Sequence, residues 1–246
     1  MAVEAKGLSK SFGKQQILKD LDLRAEKGEI SAIFGPNGCG KTTLLNILSG
    51  LVESDEGEHS LGLDCGGCFS YMFQNYRQTL LPWMTNFDNL ALPLKIRGMA
   101  EEGIKAAVED IHRLYGSGIA LDAYPYTLSG GLQQRLSMLR AIITGPDVLL
   151  LDEPTSSLDF ESSLLMRQML LDYHGRMGTT ILIVTHDIEE AAQLGRKIFV
   201  FGDSPTHVTA VVDNPLHYPR ATETLYSPKL NKVKATILES FMDRVS

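Results

Sequence analysis

The sequence predicts an α/β fold: buried strands alternating with helices, with a helical subdomain inserted between two parts of the core. Three observations predict it. The apolar runs Ile30–Phe34, Val148–Leu151 and Thr180–Val184 have strand length and are bounded by turn or breaker residues. Each run gives way to polar or glycine-rich sequence, the pattern of a core strand that ends at a ligand crevice. Residues 75–135 carry few β-branched runs and several helix-like segments, notably Ala100–Tyr115, and so read as a helical insertion.

The elements follow in order. Leu21 and Leu23 alternate with Asp22 and Arg24, a period-two strand pattern. Lys27-Gly28 turns the chain into the buried strand Ile30–Phe34, and a helix over Thr43–Leu48 follows. After the insertion come the strands Val148–Leu151 and Thr180–Val184. From Asp203 the pattern weakens. Pro205, Pro215, Pro219 and Pro228 break it, which predicts a C-terminal tail over 203–246 with a last helix near Lys229–Met242. No internal repeat or flexible linker divides the chain, so residues 1–246 are expected to form a single domain.

Composition narrows the function. The 246 residues are 43% hydrophobic and 22% charged, enough to bury an ordinary core. Lys and Arg number 23 against 30 Asp and Glu, a net charge of −7 that argues against nucleic acid as a partner. It leaves anions such as nucleotides open, because backbone N–H groups and one Lys can make a local positive site. No apolar run approaches the ~18 residues needed to cross a bilayer. The segment Met1–Lys6 lacks the basic-then-apolar pattern of a leader, so the chain is expected in the cytoplasm, with any membrane work done through a partner. Cys65 and Cys68 form one C-x-x-C. No second Cys/His pair stands at zinc-site spacing, so they read as thiols in a glycine-rich turn, with a redox role as the alternative.

Gly35-Pro36-Asn37-Gly38-Cys39-Gly40-Lys41-Thr42 matches G-x-x-x-x-G-K-[ST] in full, with a strand before it and a helix after it. Glycines let the backbone curl so that successive N–H groups face phosphate oxygens. Lys41 supplies a charge for the β- and γ-phosphates, Thr42 supplies a hydroxyl for Mg²⁺, and the following helix offers its positive end. Kinases, GTPases and ATPases share this loop. Cys39, beside a helix N-terminus and Lys41, is expected to be a reactive thiol, with a buried, inert side chain as the alternative.

Three further pieces bear on the chemistry. The run Val148–Leu151 ends in Asp152-Glu153; Asp152 suits Mg²⁺, and Glu153 suits the general base that polarises an attacking water. Thr180–Val184 leads into Thr185-His186-Asp187, where His186 can donate to the γ-phosphate. In Leu128-Ser129-Gly130-Gly131-Leu132-Gln133-Gln134-Arg135, Ser-Gly-Gly before a helical pattern reads as an N-cap with exposed N–H groups, a second anion site that a second chain can use.

These pieces, in this order, resemble the ATP-binding domain of ABC transporters over nearly the whole chain. The resemblance implies a P-loop NTPase core with an antiparallel β subdomain and the inserted helical subdomain. It places the phosphate loop at Gly35–Thr43, with Thr43 as its last residue, the signature at Leu128–Gln133 and the switch histidine at His186. Gln74 resembles the glutamine that reaches Mg²⁺ and water. Ser156-Ser157-Leu158-Asp159 resembles the loop at the dimer seam, and Phe12 the adenine-stacking aromatic. It implies Mg²⁺ and ATP held between two copies of the chain, permease subunits in the membrane, and an extracytoplasmic solute-binding protein if the system is an importer. Two positions depart from the pattern. Phe12 stands where Tyr is frequent, and stacking needs only the ring. Leu132 stands where Gln is frequent, while Ser129, Gly130 and Gly131 are intact. The second departure, Leu80-Leu81-Pro82-Trp83 and Pro215–Arg220 all resemble importers of nitrate, sulfonate and taurine, and the last two are shared with importers of pyrimidine precursors and bicarbonate. The rival reading is a soluble ABC ATPase without a transport role. About 85 residues between loop and signature are too few for the coiled coil of the repair type. There is one cassette where translation types have two. The Leu-Leu-Pro-Trp segment speaks against the cluster-assembly type, and a P-loop kinase leaves Leu128–Arg135 without a role.

Overall fold

The computed structural model describes residues 3–220 and 222–242. Met1 and Ala2, at the start of the segment read for a leader, lie outside the described residues. So do residue 221 and residues 243–246 of the expected tail.

The chain opens with an antiparallel pair, β1 (Val3–Phe12) and β2 (Gln15–Ala25). β4 (Glu56–Ser60) adds to β1 to make a three-stranded sheet of order β2-β1-β4. The second sheet has six strands in the order β5-β6-β7-β3-β8-β9. Its members are β3 (Ile30–Phe34), β5 (Phe69–Met72), β6 (Val148–Asp152), β7 (Thr180–Thr185), β8 (Lys197–Phe201) and β9 (Val208–Asp213). All neighbours are parallel except β8 and β9.

The apolar runs are continuous because the sheet is covered on both faces. Side chains alternate between two hydrophobic clusters: Leu149, Leu151, Ile181 and Ile183 enter one, and Val148, Leu150, Leu182 and Val184 the other. α1 (Lys41–Leu48) closes the second cluster with Leu44, Leu45, Ile47 and Leu48.

The helical insertion comprises α2 (Tyr76–Thr79), α3 (Asn86–Ile96), α4 (Glu101–Tyr115) and α5 (Gly130–Ile142). α5 crosses the expected boundary at 135 without a break. Its buried Leu136, Met138, Leu139 and Ile142 pack into the first cluster, so this helix belongs to insertion and core alike. α6 (Phe160–Met177) and α7 (Ile188–Leu194) follow β6 and β7.

The segment expected as a tail is more ordered than its prolines suggested. It holds β9, paired to β8, and α8 (Pro228–Met242), whose Leu230, Val233 and Ile237 are buried. Arg220, 1% exposed, donates to the carbonyls of Gln193 at 3.0 Å and Gly195 at 2.8 Å, capping the C-terminal end of α7. Pro215–Arg220 therefore fastens this segment to the core.

Candidate functional site

β6, β7 and β3 are adjacent and in level register: Asp152 lies opposite Val184, and Phe34 opposite Thr185. Their C-terminal ends therefore deliver the acidic pair, His186 and the phosphate loop to one edge of the sheet, where α/β folds bind ligands. Gly40 has φ 106°, and a Cβ there would come within 2.8 Å of Ile17. Only glycine allows the loop to press against β2 in this way. α1 starts at Lys41 with no side-chain cap, which leaves its first N–H groups for a ligand.

The loop borders a cleft of about 370 Å³. Phe12, 52% exposed, lines it together with Asn37, Gly38, Gly40–Thr43, Gln74 and Glu153. Pro36 contributes its carbonyl to Lys41 rather than lining the cleft. Gly35 packs against Phe201, which a Cβ would meet at 2.9 Å.

Glu153 is 7% exposed and is the hub of the polar contacts in this cleft. Its Oε2 accepts a hydrogen bond from Gln74 Nε2 at 3.1 Å, and its Oε1 lies 3.0 Å from His186 Nδ1 and 3.9 Å from Lys41 Nζ. A carboxylate only accepts, so Nδ1 carries the proton of the imidazole contact. Glu153 has φ 48°, a left-handed conformation that costs a non-glycine residue ~1–3 kcal/mol and persists where the surroundings over-determine it. Its N–H donates to Val184 O at 2.9 Å, which ties that conformation to β7. Lys41, 5% exposed, donates to the carbonyls of Gly35 at 2.9 Å and Pro36 at 2.8 Å, so its ammonium is held at the loop before any ligand arrives.

Asp152 is 2% exposed, and its Oδ1 has no hydrogen-bond partner. Burial pushes its carboxyl up to about 6, against the hydrogen bond from Thr42, and the charge of Glu153 adds to the rise. An orphaned buried carboxylate oxygen beside a threonine hydroxyl is the donor set that a hard divalent cation takes, so these residues fit Mg²⁺.

Ser129, Gly130, Gly131 and Asp159 lie outside this cleft. Ser129 caps α5, accepting from Leu132 N, and Asp159 caps α6, accepting from Ser162 N at 2.9 Å. Cys39 follows the alternative reading and not the reactive one. Its side chain is 3% exposed and sits in the second hydrophobic cluster, so the thiol faces the core and not the ligand. The exposed cysteine is Cys65. Among the described residues, no group of His, Cys, Asp and Glu is placed to hold a metal at Cys65 and Cys68.

Sequence reasoning passed over several supporting residues. Thr206, fully buried in the expected tail, donates to Cys39 O and braces the phosphate loop. Gln134, 1% exposed, donates to Pro154 O and accepts from Ser157 Oγ at 3.1 Å, joining α5 to the loop after Glu153. Its place in the Gly-Gly-Leu-Gln-Gln run was the available signal.

Glu190 is 1% exposed beneath the same loop. Burial raises its carboxyl to about 7, with hydrogen bonds from Thr155 and Thr185 and the charge of Arg167 opposing and Asp187 adding. The folded value lies above the ordinary 4.5, so the stability it contributes is complete below about 4.5 and is lost as pH rises through about 7. Glu190→Gln is therefore expected to melt close to the wild type at pH 5 and above it at pH 8. Parallel melting curves across that range would show that Glu190 does not titrate there.

The profile of a family described as "ABC transporter" matches residues 18–156. The chain is 35% identical to the aliphatic sulfonates import ATP-binding protein SsuB of Bacillus cereus, over 98% of this chain and 96% of that protein. It is 34% identical to the taurine import ATP-binding protein TauB of Pseudomonas aeruginosa, over 97% and 95%. Among solved structures, the fold is similar to the dimeric ATP-binding cassette MJ0796 in a post-hydrolysis state bound to ADP and Pi. The TM-score is 0.74 at 28% identity, covering 86% of this chain and 98% of that one.

Proposed function

The chain belongs to the ABC transporter family, and from that premise we infer that it is the ATP-hydrolysing subunit of an importer whose cargo is a small sulfonate such as taurine or an alkanesulfonate. The observation that carries the enzymatic reading is the convergence of Lys41, Gln74 and His186 on Glu153 at the end of a phosphate-loop cleft. The cargo reading rests on the near-full-length likeness to SsuB and TauB; nitrate and pyrimidine precursors are the other solutes of similar systems.

ATP would lie with its adenine on Phe12 and its triphosphate along Gly35–Thr43. Lys41 would turn from the Gly35 and Pro36 carbonyls to the β- and γ-phosphates. Thr42, Asp152 and Gln74 would hold Mg²⁺, which would supply positive charge to neutralise the phosphate oxygens. Glu153 takes a proton from water as the water oxygen attacks the γ-phosphorus and the bond to the β-phosphate oxygen breaks, leaving ADP and inorganic phosphate. His186, through Nδ1, keeps Glu153 aimed and presents its other ring nitrogen to the γ-phosphate.

Ser129–Gly131 lie outside the cleft of their own chain, so we assign them to the nucleotide of a second, identical copy. Asp159 would lie at the seam. Binding would close that dimer, and hydrolysis and release would open it.

No helix among the described residues is long and apolar enough to cross a membrane. Permease subunits would supply the span, docking on the helical insertion at the cytoplasmic face, and an extracytoplasmic solute-binding protein would deliver cargo. Two exposed apolar side chains bracket α3: Trp83, 71% exposed in the turn before it, and Ile96, 78% exposed at its end. A cleft of about 200 Å³ beside Phe73, Leu92 and Ile96 lies at the Ile96 end and is not lined by Trp83. Trp83→Ala is expected to weaken capture of the permease while the melting temperature and basal ATPase rate stay unchanged; aromatic anchors at interfaces can cost more than ~2 kcal/mol. A large fall in melting temperature with normal capture would remove Trp83 from the contact. The function as a whole is tested by recovering the chain from native membranes with its partners and measuring uptake of labelled taurine after its deletion. Loss of uptake supports the assignment, and unchanged uptake assigns another cargo.

A further inference from the structure

We propose that Glu190 is a positioning residue for ATP hydrolysis, clamping the loop that carries Glu153 to the strand that ends at His186. The inference rests on the reading of Glu153 as general base.

Thr155, two residues after Glu153, donates through Oγ1 to Glu190 Oε1 at 2.6 Å. Glu190 stands on α7, which begins two residues after His186, and Asp187 N donates to the hydroxyl of Thr185 at 3.0 Å, tying the start of α7 to the end of β7. The Glu190 side chain therefore joins the loop after Glu153 to the helix that follows His186, and the functional residues of these two segments meet 3.0 Å apart at Glu153 Oε1 and His186 Nδ1. All the members of the clamp are buried: Glu190 at 1%, Thr155 at 5%, Thr185 at 2% and Arg167 at 2% exposure. Packing alone would be served by an aliphatic residue here. A buried carboxyl behind a catalytic loop is costly unless every acceptor is used, and its hydrogen bonds fix direction as hydrophobic contact does not. The need for such a fixture is visible at Glu153, whose φ of 48° must be held from outside. Arg167, across from Glu190 on α6, places a positive charge beside the clamp.

The clamp should affect the chemical step and leave nucleotide binding alone, because neither Thr155 nor Glu190 lines the phosphate-loop cleft. The test is steady-state ATPase kinetics with nucleotide binding and thermal melting for Thr155→Val, Glu190→Leu, their double variant and Glu190→Gln, with Glu153→Gln measured alongside. We expect Thr155→Val and Glu190→Leu each to lower kcat by up to about 100-fold, the cost of misplacing a reacting group by ~1 Å. KM for ATP should stay within about twofold, the double variant should be no worse than the poorer single one, and Glu190→Gln, which keeps an oxygen acceptor, should retain most of the rate. Folded Thr155→Val with a wild-type kcat, or single losses that multiply in the double variant, would overturn the proposal. If Glu190→Leu does not fold, Thr155→Val decides by itself. A near-normal rate in Glu153→Gln would instead show that the base lies elsewhere.

Discussion

Lys41→Ala is expected to lose nucleotide-dependent activity by at least about 100-fold, because it removes the side-chain ammonium of the phosphate-loop cleft. Lys41 is 5% exposed and already hydrogen-bonded to Gly35 O and Pro36 O, so little rearrangement is needed to bring the charge to phosphate oxygens. Such a preorganised donor acts where solvent is excluded and screening is weak. The substitution also leaves two loop carbonyls without their donor, so the loss should appear in ATP affinity as well as in rate. An ATPase rate near that of the wild type in Lys41→Ala would refute the assignment of this loop.

Glu153→Gln is expected to separate binding from chemistry. Glutamine keeps an oxygen to accept from its neighbours but cannot take a proton from water. Loss of a general base costs ~10²–10⁴-fold in rate. Phe12 and the phosphate loop are untouched, so MgATP should bind as before. An unchanged hydrolysis rate would place the base on another residue.

The core of this site was legible because its strands are buried on both faces. Val148–Asp152 and Thr180–Thr185 are fully buried runs, and such runs stand out from the alternating pattern of half-exposed strands. Once they are recognised, the polar residues at their ends mark the crevice. β9 was missed for the opposite reason. Val208–Asp213 is an edge strand with one buried residue, Val212, and it lies among prolines that break the pattern.

Side-chain direction was less legible than position. Cys39 has the neighbours of a reactive thiol in sequence, yet the turn that places Gly40 against β2 rotates Cys39 into the core. Glu189 and Glu190 are alike in sequence, and only the short α7 packed over β7 shows that Glu190 points inward while Glu189 does not. Arg220 and Thr206 are local features of a proline-rich stretch in sequence. Their partners, Gly195 and Cys39, lie 25 and 167 residues away. Roles that need a second chain, those of Ser129–Gly131 and Asp159, have no partner within one.

A second chain is required because the cleft of one copy holds the phosphate loop without the signature residues. The measurement is the solution mass of Glu153→Gln by light scattering, with and without MgATP. A species of 27.1 kDa is expected without nucleotide and one of twice that mass with it, reverting when Ser129→Arg is added to block the signature. A Glu153→Gln protein that binds MgATP and remains at 27.1 kDa would contradict it.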